Sequence, residues 1–180
     1  MSNHLRPLEP PFSAETAALL ANYPQTDGQL LSLFRTFAHS PRFLRKGVPD
    51  LLDRGSPLPL RIREIVILRV TALRQCDYEW GVHAAVFARA AGLDADHLAA
   101  TRAPAIDIAQ WSDAEVTLLQ AIDQLLDGGR LDAKCQARFE ADWTCEQQLE
   151  ICALAGAYQT VSFVANLAQL PHEAFALRPA

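Results

Sequence analysis

The stretch from Leu60 to Gln75, LRIREIVILRVTALRQ, is the part of this chain with the fewest ways to fold. Its centre, Ile65-Val66-Ile67-Leu68, is apolar and β-branched, so local preference alone allows a buried strand or a buried helix. Length and helical surroundings decide for a helix, and Pro59 stands where one would begin. A helix apolar on nearly every face must be covered on nearly every face, so other helices have to surround it. Glu64, Thr71 and Gln75 recur on it at i, i+7 and i+11, a polar stripe on an otherwise oily rod. A carboxylate in such a place is costly unless paired. Glu64 therefore either makes a structural ion pair with Arg69 or Arg74, or has a chemical task.

The next eight residues, Cys76-Asp77-Tyr78-Glu79-Trp80-Gly81-Val82-His83, suggest the task. Asp77 can cap a helix that Gly92 stops. Cys76, Glu79 and His83 then fall at i, i+3 and i+7 and share one face. The helices 60–75 and 77–91, folded antiparallel at Cys76, bring Glu64 level with the turn beyond His83. At a rise of about 1.5 Å per residue, Glu64 lies roughly 18 Å back from Cys76 along its own helix. The order along the groove becomes Glu64, His83, Glu79, Cys76, a sequence of proton-handling groups. Histidine suits such a relay because its ordinary pKa lies near neutrality. Tyr78 and Trp80 read as pocket wall or core, and one of Arg61, Arg69 or Arg74 is available to hold a substrate carboxylate. A thiol just ahead of a helix N-terminus is drawn toward thiolate by the helix dipole, whereas Asp77 and Glu79 oppose that. Glu64, Glu79 and His83 are metal-ligating types, but no dense ligand motif supports a metal site.

The flanks repeat the helical theme. Residues 1–12, with Pro7, Pro10 and Pro11, read as an extended arm ahead of a single domain over 13–180. Ser13 caps a short helix to about Asn22, and Pro24 with Asp27-Gly28 makes a turn. Helices are expected over Gln29 to Ala38, from Ser40-Pro41 to about Asp53, and after Asp94. Ser112-Asp113-Ala114-Glu115 and Thr144-Cys145-Glu146-Gln147 are capping boxes, and Asp132 starts a further helix. Leu149 to Leu170 is the longest, apolar nearly all round, with small residues at Ala153, Ala155, Gly156 and Ala157 and a polar stripe of Gln159, Ser162 and Asn166. No convincing two-strand hairpin is visible. The fold class is all-α.

Bulk properties exclude several functions. Half of the 180 residues are hydrophobic, 21% are charged and the formal net charge is −5, so nucleic acid has no basic footprint to bind. No run approaches the ~18 apolar residues a spanning helix needs, and the N-terminus lacks a signal pattern, so a cytoplasmic protein is expected. Cys76, Cys135, Cys145 and Cys152 read as free thiols, the last three as core.

The residues Glu64, Cys76, Glu79 and His83 resemble the carboxymuconolactone decarboxylase / alkylhydroperoxidase-like family. Its peroxidase branch carries a Glu and, twelve residues on, Cys-x-x-Cys-x-x-x-His; the register agrees at each position, but Glu79 stands where the second cysteine belongs. The resemblance covers roughly Asn22 to Gly92 and extends to the long C-terminal helix. It implies an all-helical subunit assembled as a homo-oligomer, a trimer or hexamer, acting on a small molecule. With Glu79 in place, a local dithiol cycle cannot run, because a carboxylate does not resolve a sulfenic acid. The Tyr-Glu-Trp-x-x-His run resembles the lactone-decarboxylase side, which uses no cofactor. Acid/base chemistry on a small organic acid or lactone is the expectation. A single-cysteine peroxidase and a non-catalytic small-ligand binder are the alternatives.

Overall fold

In the computed structural model, which describes residues 5–26 and 28–179, the regular structure is almost entirely helical. The helices in chain order are α1 (Ala14–Leu20), α2 (Ser32–Phe37), α3 (Pro41–Lys46), α4 (Leu60–Leu73), α5 (Asp77–Val86), α6 (Ala95–Arg102), α7 (Asp113–Gly128), α8 (Ala133–Asp142) and α9 (Cys145–Leu167). Between α1 and α2 lies a two-residue antiparallel ladder, β1 (Gln25–Thr26) on β2 (Gln29–Leu30). The turn at Asp27-Gly28 is expected, with Asp27 outside the described residues, but the hairpin is not: Gln29 and Leu30 pair as a strand instead of opening the helix, which starts at Ser32, and a two-residue ladder is too short to show an alternating pattern.

The Leu60–Gln75 stretch is the central helix. Ile65, Val66, Ile67, Leu68 and Val70 of α4 are each 0% exposed, and α5, α6, α7 and α9 pack around it. Burial on all sides explains how a β-branched run is held helical: tertiary cover outweighs the few tenths of a kcal/mol per residue that its propensity costs. Capping follows the sequence closely. Ser13, Ser40, Asp94, Ser112, Asp132 and Thr144 each accept an amide of the first turn, and both capping boxes close reciprocally.

Several boundaries differ from expectation. The helix starting at Pro41 stops at Lys46 rather than near Asp53, and the loop 47–59 follows. α5 is capped by Cys76, with Asp77 as its first helical residue, and ends at Val86 rather than running to Gly92. The turn into it is a Schellman closure: Gln75 is left-handed at φ 51°, Gln75 N–H donates to Ala72 O and Cys76 N–H to Thr71 O. This closure makes α4 and α5 an antiparallel hairpin. The arm residues 5–12 hold no helix and lie against α2, with Leu8 N–H donating to Arg35 O and Arg35 pairing with Glu9.

Beyond α9 the chain turns back over the outer face of α5. Glu173 accepts hydrogen bonds from Tyr78 Oη at 2.7 Å and from the Ser32 amide at 2.7 Å. Leu177 N–H donates to Gly81 O at 3.0 Å. The approach is so close that a β-carbon at Gly81 would collide with the Leu177 carbonyl, a place where only glycine fits.

Candidate active site

The antiparallel hairpin brings together the charges that the sequence placed on two separate helices. Glu64 Oε2 lies 2.8 Å from His83 Nδ1. Glu79, one turn before His83 on α5, has Oε1 3.4 Å from His83 Nε2. All three are buried: Glu64 is 1% exposed, His83 3% and Glu79 6%. Cys76, 0% exposed, lies at the head of the same helix, beside the Glu79 amide and the Ser162 hydroxyl. The four residues thus form one internal cluster. Glu64 makes no pair with Arg69 or Arg74. Thr71 and Gln75, the rest of the expected stripe, stay out: Thr71 Oγ1 donates back to Ile67 O at 2.8 Å, and Gln75 is the exposed turn residue.

One member was missed. Tyr158 of α9 has its hydroxyl 3.0 Å from His83 Nε2 and its ring edge-on to the imidazole, with centroids 5.0 Å apart. The signal was present in the sequence, since Tyr158 stands at i−4 from Ser162 of the polar stripe. A helix apolar nearly all round gives no reason to single the tyrosine out. The stripe itself meets the end of α4: Gln159 accepts from Arg74 Nε at 3.0 Å and Asn166 Nδ2 donates to Arg74 O at 2.9 Å.

Burial works against charge on His83, but the Glu64 and Glu79 carboxylates outweigh it and raise the imidazole to about 10. At neutral pH it is an imidazolium between two carboxyl groups. For Cys76 burial is again the leading influence, here pushing the thiol up to about 11; Glu79 and Asp77 add to this, while the Glu79 amide and Ser162 hydroxyl partly oppose it. Burial, then Glu79 and Glu64, hold the Tyr158 proton on far more firmly than in water. Glu64 Oε2 and both nitrogens of His83 are engaged in this network, whereas Glu79 Oε2 is buried with no hydrogen-bond partner among the described residues. A buried polar atom without a partner costs about 1–3 kcal/mol, so Oε2 is the acceptor of the cluster still able to take a hydrogen bond.

Three residues expected at the site are committed elsewhere. Arg69, expected to meet a substrate carboxylate, is 1% exposed and turned away. Its Nε and Nη2 fork onto Asp123 at 2.7 and 2.6 Å, and Nη1 donates to the carbonyls of Thr101 and Ala103. This correction has a simple cause: Arg69 is five residues beyond Glu64, well round the helix from it. Tyr78 accepts from the Leu33 amide and donates to Glu173 on the outer side of α5. Trp80 donates Nε1–H to Thr101 Oγ1 at 3.1 Å and lies under the Arg102 guanidinium. Of the other thiols, Cys135 is buried as expected, but Cys145 and Cys152 are exposed on the outer face of α9.

The fold is that of the all-helical alkylhydroperoxidase-like proteins. An uncharacterised peroxidase-related protein from Silicibacter sp. TM1040 superposes with a TM-score of 0.75 at 14% identity, over 97% of this chain and 96% of that one. A protein of unknown function from Agrobacterium tumefaciens, described as a candidate antioxidant defence protein AhpD, gives a TM-score of 0.58 at 19% identity, over 65% of this chain and 80% of that one. Residues 44–124, just under half of the chain, match the Carboxymuconolactone decarboxylase family, and that span holds Glu64, Cys76, Glu79 and His83. Among curated proteins none matches the sequence.

Proposed function

We propose that the protein is an enzyme performing cofactor-free acid/base chemistry on a small organic acid or lactone. The observation that carries this reading is the open oxygen of Glu79 beside a charged, doubly held His83. Glu79 Oε2 takes a proton from the substrate, His83 Nε2 exchanges protons with Glu79 Oε1 and the Tyr158 hydroxyl, and Glu64 holds the imidazolium charge. Trapping the groups in a low-dielectric interior strengthens each of these interactions.

The peroxidase-related description of the structural neighbours favours the second reading, with Cys76 as a peroxidatic thiol. Against it stands the same thiol, wholly buried and raised to about 11, since the thiolate is the reactive form. One pair of variants separates the two. His83→Ala is expected to lose on the order of 10²–10⁴-fold in turnover on a panel of small lactones and keto acids, while Cys76→Ser keeps most of it. Thiol-dependent reduction of hydroperoxides abolished by Cys76→Ser reverses the ranking. No turnover on either panel favours a ligand-binding protein.

A homo-oligomer is part of the same proposal. The outer face of α9 leaves Leu149 73%, Phe163 56% and Leu167 70% exposed, an apolar stripe with no charge along it. Phe163→Glu is expected to convert the assembly to monomers in sedimentation velocity; a wild type already monomeric at micromolar concentration removes this part. No helix among the described residues is long and apolar enough to cross a membrane, and a cytoplasmic site of action remains our reading of the chain.

A further inference from the structure

The arginines near the site differ in how fully they are spent. Arg61 donates to Glu115 Oε1 and to Gly92 O. Arg69 is held by Asp123 and two carbonyls. Arg74 donates to Gln159 and to Leu126 O. Arg63, next to Glu64 on α4, is the exception. Its Nη1 donates to Asp53 O at 2.9 Å, tying it to the loop 47–59. Its Nε is buried with no partner among the described residues, and its Nη2 makes no hydrogen bond to them. The edge formed by Nε and Nη2 is the edge of a guanidinium that fits a carboxylate side-on with two parallel hydrogen bonds.

Arg63 Nε, on α4 beside Glu64, and Glu79 Oε2, on α5 one turn before His83, are both buried and open, and no ion pair joins the two residues. We propose that Arg63 is the specificity-determining residue of the site, receiving the carboxylate of a small acid whose transferable hydrogen is offered to Glu79 Oε2. This rests on the acid/base reading for the role of Glu79, and adds to it the residue that orients the substrate. The Arg63 charge acts on the Tyr158 hydroxyl in the sense opposite to Glu64 and Glu79, which places it within electrostatic range of the cluster. A carboxylate entering beside two glutamates meets like-charge repulsion, which a low-dielectric interior strengthens. A guanidinium on the residue next to Glu64 offsets that repulsion for an acid presented in one orientation only. A neutral molecule gains nothing from it.

Binding to full-length protein labelled with ¹⁵N-histidine tests this, with His83 ring signals as the readout. The probes are levulinate, malonate and succinate, each against its neutral amide. Wild type is expected to bind at least one acid saturably and more than tenfold better than the matching amide. Arg63→Gln is expected to remove that preference, weakening the acid at least tenfold while leaving the amide unchanged, and Arg63→Lys to restore part of it. Equal weakening of acid and amide would reduce Arg63 to a loop anchor through Asp53, and overturns the proposal. So does unchanged acid binding in Arg63→Gln, or no saturable binding of any acid by the wild type. The failures are separable. Charge-selective binding lost in Arg63→Gln without turnover on any panel keeps the Arg63 assignment and sinks the acid/base reading. Turnover of acids indifferent to Arg63→Gln does the reverse.

Discussion

Helix α4 carries two buried charges, Glu64 and Arg69, about a turn and a half apart, and their surroundings differ in one respect. Around Arg69 nothing is left over: Asp123 takes the fork and two carbonyls take the remaining Nη1 hydrogens. Around Glu64 the network is nearly complete but ends on an open oxygen of Glu79. A closed polar cluster has no valence to offer a ligand and serves to fix α4 against α7 and the end of α6. An unclosed one keeps an acceptor that a substrate or a water can use. The sequence shows two charged residues in an apolar helix. Only the accounting of partners separates them.

The largest effect expected from breaking this contrast is on stability. Arg69→Met strands the Thr101 and Ala103 carbonyls and the Asp123 carboxylate, and should cost about 3–5 kcal/mol. For a chain of this size that lowers Tm on the order of 10 °C in a calorimetric scan. The His83 ring resonances should not move, and a shift in them would show that the two clusters are coupled.

A smaller effect comes from pH. The fold holds His83 charged, raising it from the ordinary 6.5 to about 10. A group whose pKa is raised on folding contributes stability in full below its unfolded value and loses it as pH climbs through the folded one. The stability advantage of wild type over His83→Gln should therefore be constant below about pH 6.5 and shrink progressively toward pH 10. Thermal melts of both proteins across that range measure it directly. A constant difference would mean a neutral imidazole.

The smallest stability effect is expected at the open end. Glu79→Gln keeps the shape of the side chain and removes no hydrogen bond at Oε2, while Glu64 still pairs the His83 charge that Glu79 also faces, so ΔG of unfolding should fall by about 1–2 kcal/mol, less than in Arg69→Met. Turnover, by contrast, should fall as far as in His83→Ala. Were Glu79→Gln as destabilising as Arg69→Met, the two clusters would be of one kind and the contrast would fail.

How much of this was legible beforehand depended on whether the signal was local. The caps at Ser13, Ser112 and Thr144 are short-range chemistry and could be read from neighbouring residues. The hairpin could be read because Pro59 and the turn at Gln75-Cys76 bound two helices with little freedom between them, and it carried Glu64 to His83. What failed was rotation and end-point. Nothing near Arg69 in sequence announces Asp123, Thr101 or Ala103, so its donors looked free. Tyr158 lies 75 residues from His83 and belongs to the site only because α9 crosses both α4 and α5. Arg63 was overlooked for the converse reason: what distinguishes it is a hydrogen bond it does not make.

The strap at Gly81 bears on the timing of all this. Glu173 reaches Tyr78 across 95 residues of chain, and closing an unstructured loop of that length would cost roughly 4 kcal/mol in chain entropy. The contact becomes affordable only when α6 to α9 have formed and shortened the path. Until then the outer face of α5 is unclamped and its inner face holds charges without their tyrosine. The helix that carries Glu79 and His83 is thus held on one side by a near neighbour in the chain and on the other by its most distant segment, so loss of the Glu173 and Leu177 contacts would unclamp that helix while leaving the Glu64–His83 pair in place.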